Sequence, residues 1–194
     1  MKGSALRPAA ALVLAAALTA SLAGGTMTEE PVLHYVGLAQ CKMCHQSDTY
    51  GDQYNIWRKG PHARAYDTLA GFKALGKAAE LGIRDPQADG RCLRCHVTGW
   101  EAPDSLKTAV KNANGVTCEA CHGPGSIYYR PAVKRAVCAG RTEPHSVGLI
   151  LSDEAVCRHC HNEANPFHEP FDFQKYKGRI CHPLPEKDED GDED

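Results

Sequence analysis

Two cysteines separated by two residues, with a histidine directly after the second, form the feature that most constrains how this chain can fold. The clearest copy is Cys118–His122, with the sequence CEACH, which is followed at once by the turn-forming residues 123–125. This spacing is the attachment signal of a c-type haem. Both thiols bond to one porphyrin, and the adjacent histidine faces the iron from one side.

The same signal occurs three more times, at Cys41–His45, Cys92–His96 and Cys157–His161. Zinc sites and disulfides are the alternatives, but a zinc site needs about four nitrogen or sulfur ligands and no histidine after every second cysteine. We therefore predict four covalently bound haem c groups. The predicted attachment residues are Cys41, Cys44, Cys92, Cys95, Cys118, Cys121, Cys157 and Cys160. The predicted iron ligands on the attachment side are His45, His96, His122 and His161.

The first residues resemble a secretory signal. Lys2 and Arg7 precede an apolar stretch at 9–20, and small residues at 21–23 fit a cleavage site. The apolar stretch is too short to span a membrane. We predict a signal peptide at 1–23, a haem domain at 24–185 with no membrane span, and a periplasmic or extracellular location, where haem attachment takes place in bacteria.

The predicted fold class is mainly α with long irregular loops and little or no β. The sequence contains only 4 Phe and 2 Trp, so four porphyrins would supply most of the core of a small haem-packed globule. Apolar residues at three- and four-residue steps predict one amphipathic helix over 62–82, and another helix is expected to begin near Asp153. The stretch 128–148 is rich in Arg, Lys, Pro and Gly and has no clear period, so we predict a long loop. The stretch 165–185 is rich in proline and aromatic residues, so we predict an extended segment that wraps the haems.

The formal net charge is −2, and seven of the acidic residues lie in 186–194, which we predict to be a disordered tail. Nothing in this charge pattern suggests binding to nucleic acid. The sequence also shows no glycine-rich phosphate loop and no recognisable nucleophile constellation, so no catalytic residue is predicted.

Each iron also needs a ligand on its other face, and methionine is a poor candidate. Met1 leaves with the signal peptide, Met43 lies inside a haem-binding loop, and Met27 lies near the new N-terminus. Histidine ligation or an open face is therefore expected. Among the six histidines outside the motif ends, His62 is favoured by its helix start and His182 by its apolar neighbours. The six are His34, His62, His145, His159, His168 and His182.

These motifs and their context resemble the tetrahaem cytochrome c-554 family, over most of the mature chain. The resemblance rests on 41–45 with Trp57 and His62, on 92–100, on 115–125 and on 157–161. The block at 115–125 is the most specific of the four.

The resemblance implies that distant segments supply the second ligands. It implies His62 opposite His161, His145 opposite His45, and His182 opposite His122. It also implies that the iron on His96 has no second protein ligand, although His34 or His168 could supply one.

Cys138 and Cys181 are the two cysteines outside the motifs, and a disulfide between them is expected in an oxidising compartment. Attachment of a haem at Cys181-His182 through one thioether is the alternative.

The favoured function is multi-electron transfer between a donor and an acceptor redox protein, with the chemistry carried by the haems. Two alternatives are a reductase of small nitrogen oxides at an open second haem and a subunit of a conducting filament. We expect an electron-transfer protein rather than an enzyme.

Overall fold

The computed structural model describes residues 31–183, and within that range the chain forms helices and irregular segments but no strand. The helices are α1 Leu38–His45, α2 Gln53–Lys59, α3 Ala65–Thr68, α4 Phe72–Glu80, α5 Gly90–His96, α6 Cys118–His122, α7 Pro131–Cys138, α8 Glu154–Arg158 and α9 Phe173–Ile180. Short 3-10 turns lie at Asp48–Tyr50, His62–Arg64, Asp104–Leu106, Asn112–Asn114 and Pro144–Val147. The mainly α fold class is confirmed. The predicted signal peptide and acidic tail lie outside the described residues.

Each predicted attachment motif lies wholly or partly on a short helix. The helices α1, α5 and α6 end at the motif histidines His45, His96 and His122. The fourth motif begins in α8 and continues into the turn after it. Asp153 accepts a hydrogen bond from the Val156 N–H and so caps α8 at the predicted position.

Gly123 ends α6 immediately after its histidine. Its backbone has φ 77° and ψ 174°, a conformation that only glycine adopts without strain. A Cβ added there would lie 2.5 Å from the Gly148 carbonyl oxygen. The chain therefore leaves the helix as soon as the motif is complete, and it packs closely against the segment that follows α7.

The peptide core within residues 31–183 is small. Leu69, Leu93 and Val97 form its main cluster, with Tyr66 and Trp100 packed at its edge. The buried hydrophobic residues in the described range are Leu69, Ala78, Ile83, Leu93, Val97 and Val147. No helix in this part of the chain is both long and apolar enough to cross a membrane.

The continuous helix predicted over 62–82 is wrong in its middle. The segment is a 3-10 turn, then α3, then α4, with the extended residue Gly71 between the two helices. This break changes the direction in which the periodic side chains point. Leu69 is buried before it, whereas Phe72 is 95% exposed after it.

Two helices lie in stretches that were predicted to be non-helical. In 128–148, α7 begins at Pro131, which is compatible with a first helical turn because its missing N–H needs no partner there. In 165–185, α9 is capped by Asp172, whose carboxylate accepts from the Lys175 N–H. Proline, arginine and glycine around these short helices obscured their period.

Candidate haem-binding site

The fold brings the four attachment motifs together in neighbouring pairs. The Cys41 and Cys118 thiols lie close together, which places the first motif beside the third. The Cys95 and Cys160 thiols also lie close together, which places the second motif beside the fourth. Burial, with Cys157 nearby, raises the pKa of the Cys121 thiol to about 11. The third and fourth motifs are therefore neighbours as well.

Glu119 links the third motif to the segment that leads into the first. Its side chain is only 2% exposed. One carboxylate oxygen accepts from the Val36 and Gly125 N–H groups at 2.8 Å each, and the other accepts from the Gly37 N–H at 2.8 Å. Three hydrogen bonds satisfy the buried charge and hold the start of α1 against α6.

In three motif histidines, an oxygen atom lies within hydrogen-bond distance of the ring nitrogen Nδ1. His45 Nδ1 lies 2.9 Å from Gln53 Oε1, and His96 Nδ1 lies 2.6 Å from the Ala65 carbonyl oxygen. His122 Nδ1 lies 3.3 Å from the Ile150 carbonyl oxygen. A carbonyl oxygen only accepts, so Nδ1 carries the proton and Nε2 presents a lone pair. This is the orientation that a metal-binding histidine usually takes.

Two histidines from outside the motifs face motif histidines from distant segments. The His62 and His161 ring centroids lie 6.2 Å apart, and those of His122 and His182 lie 6.0 Å apart. Burial lowers the pKa of all four rings below the usual histidine range, so they are neutral at neutral pH. Neutral imidazole is the form that binds a metal.

These pairs fit haem iron better than a bare metal ion. A metal–imidazole bond is about 2 Å long, so two rings facing one ion have centroids roughly 6 Å apart. Two imidazoles leave a bare ion short of ligands, and within residues 31–183 no group of three or more His, Cys, Asp or Glu side chains is arranged to hold one. A porphyrin supplies the four missing nitrogens itself.

His161 and His182 also have defined surroundings. His161 stacks on Phe171, with ring centroids 4.7 Å apart, and Phe171 stacks in turn on Tyr176 of α9. His182 Nδ1 is buried and has no hydrogen-bond partner. The C-terminal segment of the described chain therefore packs against two of the four motifs.

At the first motif, a lysine lies where the resemblance implied a histidine. Lys134 Nζ is 2.7 Å from His45 Nε2. Burial lowers the pKa of both side chains below their usual values. His145 is exposed in the turn Pro144–Val147, and no ring contact within residues 31–183 pairs it with His45.

At the second motif, no second histidine ring lies against His96 in the described part of the chain. His34 and His168 are both exposed. The backbone of His34 is held by Ser126, which pairs with its N–H and carbonyl groups. His159 is also exposed, and its ring lies 3.8 Å from the Glu101 carboxylate.

The disulfide expected between Cys138 and Cys181 does not form in this structure. Both cysteines are free and exposed. Cys138 is the last residue of α7, whereas Cys181 directly follows α9, so the two thiols lie at the ends of different helices.

Sequence reasoning missed Lys134 and Gln53. Gln53 begins α2 and is 8% exposed, and its amide donates to the Pro183 and Tyr50 carbonyl oxygens while its oxygen faces His45. No motif marks either residue. Lys134 lies on α7, in a stretch for which no helix was predicted.

Comparison with known proteins adds a sequence-level likeness. The model of a family described as "Cytochrome c554 and c-prime" matches residues 40–123, which include the first three motifs. The curated protein "Cytochrome c-554" of Nitrosomonas europaea is 30% identical over 165 residues, which cover 79% of this chain and 67% of that protein. No solved structure matches the chain.

Proposed function

This chain belongs to the cytochrome c-554 family, and from that premise we propose that it carries four haem c groups and relays several electrons between redox proteins outside the cytoplasm. Membership makes it a haem c electron-transfer protein. The number of haems, the location and the relay are the proposal. The haems supply reversible one-electron transfer when bound.

The observation that carries the proposal is the pairing of neutral histidine rings at 6.2 and 6.0 Å. In each pair, one ring follows two attachment cysteines and the other comes from a distant segment. We assign His62 and His161 to the fourth haem, and His122 and His182 to the third. Histidine on both faces gives a lower reduction potential than methionine would.

The neighbouring motifs support a continuous path for electrons. The first motif lies beside the third, the third beside the fourth, and the fourth beside the second. We therefore propose the order first, third, fourth, second. The chain keeps these sites close through contacts such as the Glu119 hydrogen bonds.

A second candidate function rests on the surroundings of His96. No second histidine ring faces it within residues 31–183, so an iron held there would have a face free for a small ligand. Reduction of a small nitrogen oxide at that haem is therefore the alternative function. It predicts a high-spin haem that binds such ligands and turns them over.

The first experiment counts haems by pyridine haemochrome and records the electron paramagnetic resonance spectrum of the oxidised protein. We expect four haems per chain, with a high-spin signal from one of them. His62→Ala should convert one further haem to high spin, whereas His159→Ala, which removes an exposed histidine, should not. Fewer than four haems in the wild-type protein would contradict the proposal.

A further inference from the structure

We propose that Lys134 is the second axial ligand of the iron at the first motif, opposite His45. This inference rests on the proposed function only in requiring a haem at Cys41–His45. It assigns that haem a lysine–histidine ligand pair, in place of the histidine pair that the resemblance implied.

The contact between the two side chains is direct. Lys134 Nζ lies 2.7 Å from His45 Nε2. Nδ1 of the same ring faces Gln53 Oε1, so Nε2 is the nitrogen left for iron. An iron bound there lies on the side of the ring that faces the Lys134 amine. The lysine side chain has a flexible four-carbon stem, so its amine can retreat by the roughly 1–2 Å that an ion between two nitrogens requires.

The surroundings of Lys134 are those of a haem site rather than of an ion pair. The side chain is half-buried and lies near the sulfur atoms of Cys138, Cys44 and Cys41, and the last two belong to the first motif. No carboxylate of the described residues forms an ion pair with it, whereas other lysines such as Lys77 do form one. The position of Lys134 beside the first motif is therefore not set by an ion pair.

The position of Lys134 is set by a regular helix. It lies in the first turns of α7, where its N–H donates to the Arg130 carbonyl oxygen. Pro131 restricts the backbone at the start of that helix. The amine therefore projects from a regular helix rather than from an irregular loop.

The competing residues are placed elsewhere. His145 is exposed on the turn that follows α7. His62 and His182 already face His161 and His122. Met43 is 64% exposed. Among these candidate iron ligands, Lys134 is thus the side chain that the described structure places beside His45.

The test compares four variants of the haem-loaded protein. Lys134→Ala should convert one haem in four from low spin to high spin in the electron paramagnetic resonance spectrum. Lys134→His should restore the low-spin state, with a histidine–histidine charge-transfer band in near-infrared magnetic circular dichroism. Arg135→Ala removes an exposed charge from the same helix, and His145→Ala removes the competing ligand; both should leave the spectra unchanged.

The outcomes separate this inference from the proposed function. If His145→Ala raises the high-spin fraction and Lys134→Ala does not, His145 is the ligand and the inference is overturned. If neither variant changes the spectra, it is overturned as well. A wild-type protein with fewer than four haems instead contradicts the proposed function.

The wild-type spectrum tests the inference even if Lys134→Ala does not accumulate. Lysine–histidine and histidine–histidine ferric haems absorb at different energies in near-infrared magnetic circular dichroism. We expect one lysine–histidine band in the untreated protein at neutral pH. Its absence from a protein that contains all four haems overturns the inference.

Discussion

Glu119 is a buried carboxylate inside the third attachment motif, and its three backbone hydrogen bonds make it a structural residue of that motif. Glu119→Gln places an amide N–H₂ where a backbone donor needs an acceptor. Because hydrogen bonds to a charged group contribute about 1.5–3 kcal/mol each, we expect the free energy of unfolding to fall by roughly 2 kcal/mol. Guanidinium denaturation of the haem-loaded protein measures the change.

The matched control for Glu119 is Glu101→Gln, because the Glu101 side chain is 68% exposed and makes only a long contact with His159. This control should change the free energy of unfolding by less than about 0.5 kcal/mol. Equal effects of the two substitutions would mean that the hydrogen bonds of Glu119 do not stabilise the fold.

Gly123 gives a second prediction at the scale of single residues. Gly123→Ala should destabilise the protein by about 1–3 kcal/mol, because its backbone lies in a region restricted to glycine and its Cβ would meet the Gly148 carbonyl oxygen. Gly76 in α4 is the control, since a Cβ there meets nothing within 4 Å. Gly76→Ala should be neutral or stabilising by up to about 1 kcal/mol. Thermal unfolding of both variants measures the two changes in stability. A Gly123→Ala protein as stable as the wild type would contradict this account of the turn.

At the scale of elements, α5 and its capping residue give a prediction about pH. The hydrogen bond from Arg91 lowers the pKa of the Asp89 carboxyl from 3.8 to about 2, and the carboxylate caps α5 through the Arg91 N–H. A lowered pKa means that Asp89 contributes its full stabilisation above about pH 4 and loses it as the pH falls through about 2. We therefore expect the wild-type protein to lose more stability than Asp89→Asn between pH 5 and pH 2.

Asparagine is a good helix cap that does not titrate in this range, so Asp89→Asn separates the charge from the capping hydrogen bond. Denaturant midpoints at the two pH values measure the difference. If the wild type and Asp89→Asn lose the same stability between pH 5 and pH 2, other acidic groups cause the loss and the prediction is wrong.

The start of α8 and the turn after the third motif were predictable from particular residues. Asp153 caps α8, and Gly123 allows the chain to turn directly after His122. The interruption at Gly71 was not predictable, because a single glycine in a helical period is usually tolerated and packing decided otherwise here. The helix α7 was missed because its neighbours are rich in proline, arginine and glycine, and Lys134 was missed with it.

At the scale of the molecule, the proposed attachment residues follow from local spacing alone, whereas the proposed second ligands depend on the fold. His62 and His182 were favoured by their neighbours, and the resemblance placed them opposite His161 and His122. The ring centroids of both pairs lie about as far apart as those of two imidazoles that bind one iron. No local pattern relates Lys134 to His45, since 89 residues separate them and only packing brings them together.

The small peptide core predicts that the fold depends on its haems. Six hydrophobic residues are buried within residues 31–183, and the main cluster is built from three of them. So few buried side chains cannot offset the conformational entropy of ordering this length of chain. We expect bound haem to supply the remaining apolar surface, much as a metal stabilises small metal-dependent domains.

A variant with alanine at the eight cysteines of the four motifs should therefore be largely unfolded. We expect its far-ultraviolet circular dichroism to lack most of the helical signal and its thermal transition to be non-cooperative. The haem-loaded wild type should show a strong helical signal and a cooperative transition. A variant with Cys138→Ala and Cys181→Ala controls for the loss of thiols, because both cysteines are free and exposed, and it should fold like the wild type. A haem-free chain that is helical and unfolds cooperatively would show that the protein core alone stabilises the fold, and the haems would then bind to a fold that is already formed.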